Sequence, residues 1–250
     1  MNYKINKIFR IVTIVISIVT VGFCSYDEIF QEAVNLYKTG NFTSSIEKFM
    51  ELITVLEEKN LVSAEVWYNI GNCYYRQNKL GYARYCYELA KTIDYYDKDI
   101  THNIELLKKI TGNTNEDSLF EHIINIFSLR DSFLLLFVFN FLFFASLIMS
   151  NFINSPILQW VKRISIIGIF IFLSMSVSRY LSEKKLKGIV VEMTNLLSAP
   201  EESTFTKFVP INEGKKVIIL AEKDNYYAVY LPNDKLQGWV KKQTVKLINI

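Results

Sequence analysis

Long apolar runs in the second half of the chain are its strongest pattern. No charged residue occurs from Ser132 to Val161, and residues 132–153 are long enough to cross the hydrocarbon layer as one helix. A second apolar run, over residues 164–178, is shorter, but Arg163 and Arg179 can extend their side chains to the interfaces. The pattern predicts a transmembrane hairpin over residues 132–182, with spans at about 132–153 and 161–181.

The N-terminus shows a different apolar pattern. Lys4, Lys7 and Arg10 precede an apolar run from Ile11 to Phe23, which is short for a membrane span. Residues 1–25 are therefore predicted to be a signal peptide or an N-terminal membrane anchor. Cleavage near its small residues and acylation of Cys24 are alternatives that stay open.

Helical periodicity between these two regions carries a repeat motif. Residues 65–90 match the tetratricopeptide (TPR) spacing, W-x2-L-G-x2-Y followed by A-x3-F. The matching positions are Trp67, Ile70, Gly71, Tyr74, Ala83, Tyr87 and Ala90. Small residues at Gly71 and Ala83 allow two antiparallel helices to approach closely. Tyr95 stands where the family pattern has proline.

A weaker copy precedes this unit. Aligning Gly40 with Asn78 places the two copies 38 residues apart, whereas the family period is 34. The extra residues amount to about one helical turn, which predicts a longer helix around residues 50–58. An amphipathic helix over residues 99–110 follows as a cap. We therefore predict a TPR domain of two repeats plus a capping helix over residues 27–112, and an amphipathic linker over residues 113–131.

Stacked helical hairpins leave a concave face that can bind an extended or helical peptide. On the first helix of the stronger unit, four side chains share one side, and matching positions occur in the preceding unit and the cap. The predicted groove residues are Tyr37, Lys38, Tyr68, Asn72, Tyr75, Arg76 and His102. The alternative is that these are ordinary half-exposed helix residues.

Beyond residue 188 the chain changes to short β-branched runs separated by turn residues. Strands are predicted at residues 189–191, 216–220, 226–231 and 238–240. Their order, with Gly238-Trp239-Val240 near the end, resembles the bacterial SH3-like domain, and we predict a small all-β barrel over residues 188–250. Ala199 replaces the glycine usual before Pro200. Trp239 is interpreted as a core residue in preference to a ligand contact.

Composition narrows the function further. A net charge of +3 without a basic cluster beyond the membrane flanks does not indicate nucleic acid. The three cysteines lack metal-site spacing. Cys73 and Cys86 could pair in an oxidising compartment, although unpaired helix cysteines are usually small core residues. The two histidines have no partner nucleophile, so neither an enzyme nor a cofactor is predicted.

The order of segments resembles the BatE-type proteins of the Bacteroides aerotolerance operon. The fold class is then a multidomain membrane protein with an all-α TPR stack, a transmembrane helical hairpin and a small SH3-like barrel. The resemblance implies a membrane scaffold acting in cell-envelope stress or aerotolerance. It implies protein partners, namely von Willebrand factor A-domain membrane proteins and other products of the operon. Membrane lipids are further partners, and binding of peptidoglycan by the SH3-like domain stays open.

Orientation in the membrane is contested within the sequence. An N-terminal export signal places the TPR and SH3-like domains in the periplasm, on the outer face of the cytoplasmic membrane. Basic residues after the second span, from Arg179 to Lys187, favour the cytoplasm instead. We expect the first arrangement. The alternative is a cytoplasm-facing TPR receptor or targeting adaptor.

Overall fold

The computed structural model describes residues 26–114, 123, 126–201, 208–232 and 234–248. The predicted signal segment with Cys24 lies outside the described residues, as does most of the predicted linker, including His122. Within the described part, helices come first, then two long apolar helices, then an antiparallel sheet. This coarse combination confirms the fold class at the level of helices, apolar helices and a β-rich C-terminus.

Five helices form the N-terminal bundle. They are α1 (residues 26–38), α2 (Phe42–Glu57), α3 (Ala64–Arg76), α4 (Leu80–Ile93) and α5 (Lys98–Ile110). Ser63 accepts a hydrogen bond from the Val66 amide at the start of α3, and Asp97 caps α5 in the same way. α2 has 16 residues and α4 has 14, so the first hairpin is the longer one.

The turns of the two hairpins have the same geometry. Gly40 and Asn78 both adopt the left-handed conformation, with φ of 82° and 58°. The next amide in each case bonds back by five residues: Asn41 N to the Leu36 carbonyl at 2.9 Å, and Lys79 N to the Tyr74 carbonyl at 3.0 Å. The 38-residue offset read from the sequence therefore relates two equivalent turns.

A close helix approach accounts for the glycine in the second hairpin. A Cβ added at Gly71 would lie 2.5 Å from the Tyr87 ring, so any larger side chain would push α3 and α4 apart. The equivalent positions of the first hairpin, Ala33, Ser45 and Phe49, are also buried. Cys73 and Cys86 are buried and free, with no disulfide between them.

Two apolar helices follow, α6 (Leu129–Met149) and α7 (Pro156–Glu183). Their mean hydropathies are 2.4 and 1.8, and both are long and apolar enough to span a membrane. A core helix of a soluble protein would be mostly buried, whereas only 11% and 22% of these segments are. The second helix starts five residues before the predicted 161, because Ser155 caps it and Pro156 occupies its first turn.

The two apolar helices, α6 and α7, contact each other through small residues. A Cβ at Gly168 would lie 2.4 Å from the Phe139 ring, and Ser132, Ser146 and Ser165 are buried. Asn140 does not reach across to the other helix: its amide donates to the Leu136 carbonyl of its own helix at 3.0 Å.

Among the described residues from 187 onward, the C-terminal sheet has seven antiparallel strands in the order β3-β2-β6-β5-β4-β1-β7. They are β1 (Lys187–Val190), β2 (Thr194–Leu197), β3 (Phe208–Ile211), β4 (Lys216–Lys223), β5 (Tyr226–Leu231), β6 (Leu236–Lys241) and β7 (Val245–Leu247). The buried side chains of one face, among them Val217, Val229 and Val240, form its core.

Trp239 corrects an expectation. It pairs with Ala228 of β5 and with Leu197 of β2, and it alternates with the fully buried Val240, so it faces away from the buried core. Its side chain is half-buried on that outer face. The prediction that Trp239 is a core residue is therefore wrong.

Candidate functional site

Two of the predicted groove residues are held within the bundle. The Tyr87 hydroxyl donates to Asn72 Oδ1 at 2.7 Å, and Asn103 of α5 donates to the Tyr68 hydroxyl at 3.2 Å. The rings of Tyr68 and Tyr87 lie 5.6 Å apart. Because these polar groups satisfy one another, the Tyr68–Asn72 face connects α3 to α4 and α5 before any ligand binds.

Tyr37 reaches the same region from α1. Burial raises the pKa of Tyr87, and the nearby Tyr68 and Tyr37 hydroxyls add to that effect. Tyr37 also packs edge-on against Phe42, and the Arg76 guanidinium lies 5.5 Å from the Phe42 ring centre. Helices α1 and α3 thus present adjoining surfaces, with Tyr37 and Arg76 sharing one aromatic neighbour.

The remaining predicted residues are solvent-exposed. Lys38, Tyr75, Arg76 and His102 all have exposed side chains, and 38% of Tyr75 is accessible. Tyr68 and Asn72 thus form a hydrogen-bonded inner pair, Tyr37 is half-buried against Phe42, and the other four residues form an exposed outer group. The outer group can contact a ligand without breaking the hydrogen bonds of the inner pair.

Two shallow depressions of the described residues lie elsewhere. One runs along α1 and is lined by polar residues such as Glu28 and Asn35. The other, of about 250 Å³, is apolar and lies between the end of α2 and the start of α3, beside Leu61, Val62 and Trp67. None of the seven predicted residues lines either one, so the predicted face is an open surface.

A second cluster, not predicted from the sequence, joins the bundle to the sheet. Arg84 of α4 is fully buried, and its Nη1 donates to the Gly214 carbonyl at 2.6 Å. The Gly81 amide donates to Glu213 Oε2 at 2.9 Å, and a Cβ at Gly81 would lie 2.4 Å from the Val191 carbonyl oxygen. Helix α4 is therefore covered by helices on one side and by the sheet on the other.

Glu88 is the central carboxylate of this contact. Its oxygens accept from Arg84 at 3.3 Å and from Lys216 of β4 at 2.8 Å. Burial alone would raise the pKa of Glu88, but the Lys216 and Arg84 charges outweigh burial and lower it below its ordinary value. Glu88 is thus ionised and bridges two cations from different parts of the chain.

The same region reaches the apolar helices. Arg179, near the end of α7, donates to the Tyr95 hydroxyl at 3.3 Å and lies 3.6 Å from Glu183. The neighbouring Tyr96 hydroxyl donates to Asp131 and accepts from the Ser128 amide, at the start of α6. The Tyr95–Tyr96 turn thus contacts the adjoining ends of both apolar helices.

Lys187, the first residue of β1, completes the cluster. Its pKa is lowered to about 8, first by burial and then by the charges of Lys216 and Arg179, while the charges of Glu88 and Glu183 oppose that shift. Its ammonium donates to the Ser182 hydroxyl at 3.1 Å. We call the group made up of Arg84, Glu88, Arg179, Glu183, Lys187 and Lys216 the junction cluster.

One feature of the sequence could have predicted part of this cluster. With the 38-residue offset, the buried Arg84 of the second hairpin corresponds to the half-buried Ile46 of the first. A charged residue at a position that is apolar in the other copy indicates a polar neighbour there. The identity of that neighbour, 130 residues later in the chain, has no local signature.

The described residues offer few groups for metal binding or thiol chemistry. No group of three or more His, Cys, Asp or Glu side chains that could hold a metal occurs among them. Burial raises the pKa of both the Cys73 and the Cys86 thiol, which disfavours the reactive thiolate.

Comparison with known proteins gives no family for the chain. No protein-family model matches it, and no curated protein matches it either.

Proposed function

We propose that the chain is a membrane-anchored protein-interaction scaffold. In this proposal α1 to α5 form a TPR-type stack that binds a protein partner, and α6 and α7 anchor it in a membrane. The observation that carries the proposal is the repeated hairpin, in which Gly40 and Asn78 occupy equivalent left-handed turns 38 residues apart. Repeated helical hairpins commonly serve as binding surfaces for peptides.

The exposed outer group of predicted residues is the proposed contact surface. Tyr75 and Arg76 are near the end of α3, Lys38 ends α1, and His102 lies on α5. Tyrosine and arginine are the residue types that contribute most often to binding energy at protein interfaces. The inner pair, Tyr68 and Asn72, then positions the helices and does not bind directly.

Co-purification from native membranes tests this proposal. We expect Tyr75→Ala combined with His102→Ala to weaken partner recovery, because loss of an interface tyrosine costs about 2 kcal/mol. A control variant, Ser44→Ala with Glu47→Ala, changes exposed residues of α2 and should recover the partner normally. Equal recovery with both variants would count against the proposed surface.

A BatE-type role is the more specific form of this proposal. It rests on the order of segments: repeated helical hairpins, two apolar helices and an antiparallel sheet whose sequence resembles the SH3-like domain. The expected partners are then von Willebrand factor A-domain membrane proteins of an aerotolerance complex. Affinity purification of the full chain, followed by mass spectrometry, would test it, and recovery without any membrane partner of that type would oppose it.

The orientation has two candidates. If α6 and α7 both span the membrane, the bundle and the sheet lie on one side, since α6 begins and α7 ends beside the Tyr95–Tyr96 turn. An export signal would make that side periplasmic. The basic residues of that side, Arg130, Arg179, Lys184, Lys185 and Lys187, outnumber Lys162 and Arg163 and favour the cytoplasmic alternative.

Reporter fusions separate these candidates. Alkaline phosphatase fused after Ile110 and at the C-terminus should be active at both places if the domains are periplasmic. Inactivity at both places would support the cytoplasm-facing receptor. Opposite results at the two places would exclude a hairpin.

A further inference from the structure

We propose that the junction cluster binds the phosphate of an anionic phospholipid at the membrane surface, with Lys187 as its main contact. The inference rests on the proposed membrane insertion of α6 and α7. It assigns a lipid class and a site to the general expectation that the protein contacts membrane lipids.

Charge balance is the first argument. The junction cluster holds four cations, namely Arg84, Arg179, Lys187 and Lys216, and two carboxylates, Glu88 and Glu183. Glu88 bridges Arg84 and Lys216, and Glu183 lies beside Arg179. The ammonium of Lys187 donates to a neutral hydroxyl, that of Ser182. One further anion would therefore balance Lys187 and lower the repulsion that Lys216 and Arg179 exert on it.

Position is the second argument. α7 ends at Glu183, and Lys187 follows four residues later, within about 14 Å of extended chain. The Lys187 ammonium lies 3.1 Å from the Ser182 hydroxyl, and Ser182 is about 6 Å along the helix beyond residue 178, where the apolar run ends. The headgroup layer on one side of a bilayer is about 5–8 Å thick, so the Lys187 ammonium lies near the height of the lipid phosphates. Lys184 and Lys185 are exposed between the two and add to the positive potential.

The pKa of Lys187 supports this placement. It is lowered to about 8 by burial, then by the cations Lys216 and Arg179, against the opposing effect of Glu88 and Glu183. A phosphate beside the ammonium would favour its charged form and raise that pKa. Lipid composition should therefore change the titration of this residue.

Reconstitution of the full chain tests the site. Purified protein is placed in nanodiscs of phosphatidylcholine alone or mixed with phosphatidylglycerol, and the labelling rate of Lys187 is followed against pH by mass spectrometry. We expect a pKa near 8 in phosphatidylcholine and a higher value when phosphatidylglycerol is present. The same pKa in both lipids would overturn the proposal.

Lipid preference supplies a second readout. Enrichment of phosphatidylglycerol around the protein should fall about fivefold in Lys187→Gln, as expected for one cation at a membrane surface. Lys223→Gln, an exposed lysine in a hairpin of the sheet, should keep the preference. An equal loss in both variants would mean a general charge effect and overturn the site, as would an unchanged preference in Lys187→Gln.

Two further experiments identify the source of the phosphate and distinguish failure of the lipid site from failure of membrane insertion. Inorganic phosphate added to phosphatidylcholine nanodiscs should leave the Lys187 titration unchanged, and the same shift as with phosphatidylglycerol would overturn the lipid assignment. Extraction of the chain from membranes by alkaline carbonate would contradict membrane insertion itself. Insertion without a phosphatidylglycerol effect would contradict only the lipid site.

Discussion

Arg84 Nη1 donates a 2.6 Å hydrogen bond to the carbonyl oxygen of Gly214, although 130 residues separate the two positions. The bond ties α4 of the helical bundle to the turn before β4. It lies in the same contact as Glu88 and Lys216, so a charged and a neutral acceptor both hold the Arg84 guanidinium. The bundle and the sheet are thus packed together through a polar, fully buried side chain.

This contact changes how the apolar surface of the bundle is understood. A helical-hairpin repeat cannot bury its apolar face alone, so other elements have to cover the excess apolar surface. In the structure, eight of the 14 residues of α4 are buried, because α3 and α5 cover one side and the sheet covers the other. Part of the excess apolar surface is therefore buried within the chain. The face left for a partner is that of α1, α3 and α5.

Replacing Arg84 should loosen this contact. Arg84→Met keeps the length of the side chain but leaves the buried Glu88 with Lys216 alone, and loss of one partner from a buried ion pair costs about 3 kcal/mol. We expect a clearly lower thermal midpoint in detergent. The control Arg76→Met changes an exposed arginine of α3 and should alter stability by about 0.5 kcal/mol at most. Equal midpoints for the two variants would show that the contact contributes little.

Acid should weaken the same contact. The folded-state pKa of Glu88 lies below its ordinary value, so the native state favours the ionised carboxylate. Its stabilising contribution is complete above the ordinary value of 4.5 and is lost as the pH falls below it. We therefore expect the thermal midpoint to fall more steeply below that pH in the wild type than in Glu88→Gln. Parallel curves would mean that other carboxylates govern acid unfolding.

The parts that could be predicted from the sequence are those with a local cause. Residues 226–231 were predicted as a strand, and β5 has the same bounds, since aromatic and β-branched residues lie between two turns. The apolar helices follow from an absence of charge over thirty positions. The turn at Asn78 has a local cause, because the polar residues Gln77, Asn78 and Lys79 separate the two halves of the repeat.

The parts that could not be predicted depend on distant contacts. β2, β3 and β7 have only three or four residues each, too few for a periodic pattern, and Pro210 argues against a strand except at an edge, where β3 lies. The hydrogen bond between Asn72 and Tyr87 depends on how α3 and α4 pack. The junction cluster depends on folding that brings three segments together.

Replacing Gly81 tests that packing, because the expected effect on stability is opposite to the usual effect of a glycine-to-alanine change in a helix. Alanine near the start of a helix is normally more favourable than glycine, by about 1 kcal/mol in a helix interior. Here the added Cβ would lie 2.4 Å from the Val191 backbone oxygen, so we expect Gly81→Ala to destabilise the protein. In an Arg84→Met background the sheet can move away, and the cost should shrink. Equal cost in both backgrounds would indicate a clash within the bundle alone.

The bond between Asn72 and Tyr87 decides how the predicted groove should be probed. Asn72→Ala leaves the buried Tyr87 hydroxyl without its acceptor, and we expect a loss of about 1–3 kcal/mol. Tyr87→Phe removes the donor, so the double variant should cost less than the sum of the single ones. Thermal midpoints of the four proteins measure this coupling. Strictly additive losses would show that the bond is not formed, and Asn72 would then be free to contact a partner as the sequence predicts. Strong coupling would mean that the bond is formed. Weaker partner binding by Asn72→Ala would then report a distorted bundle.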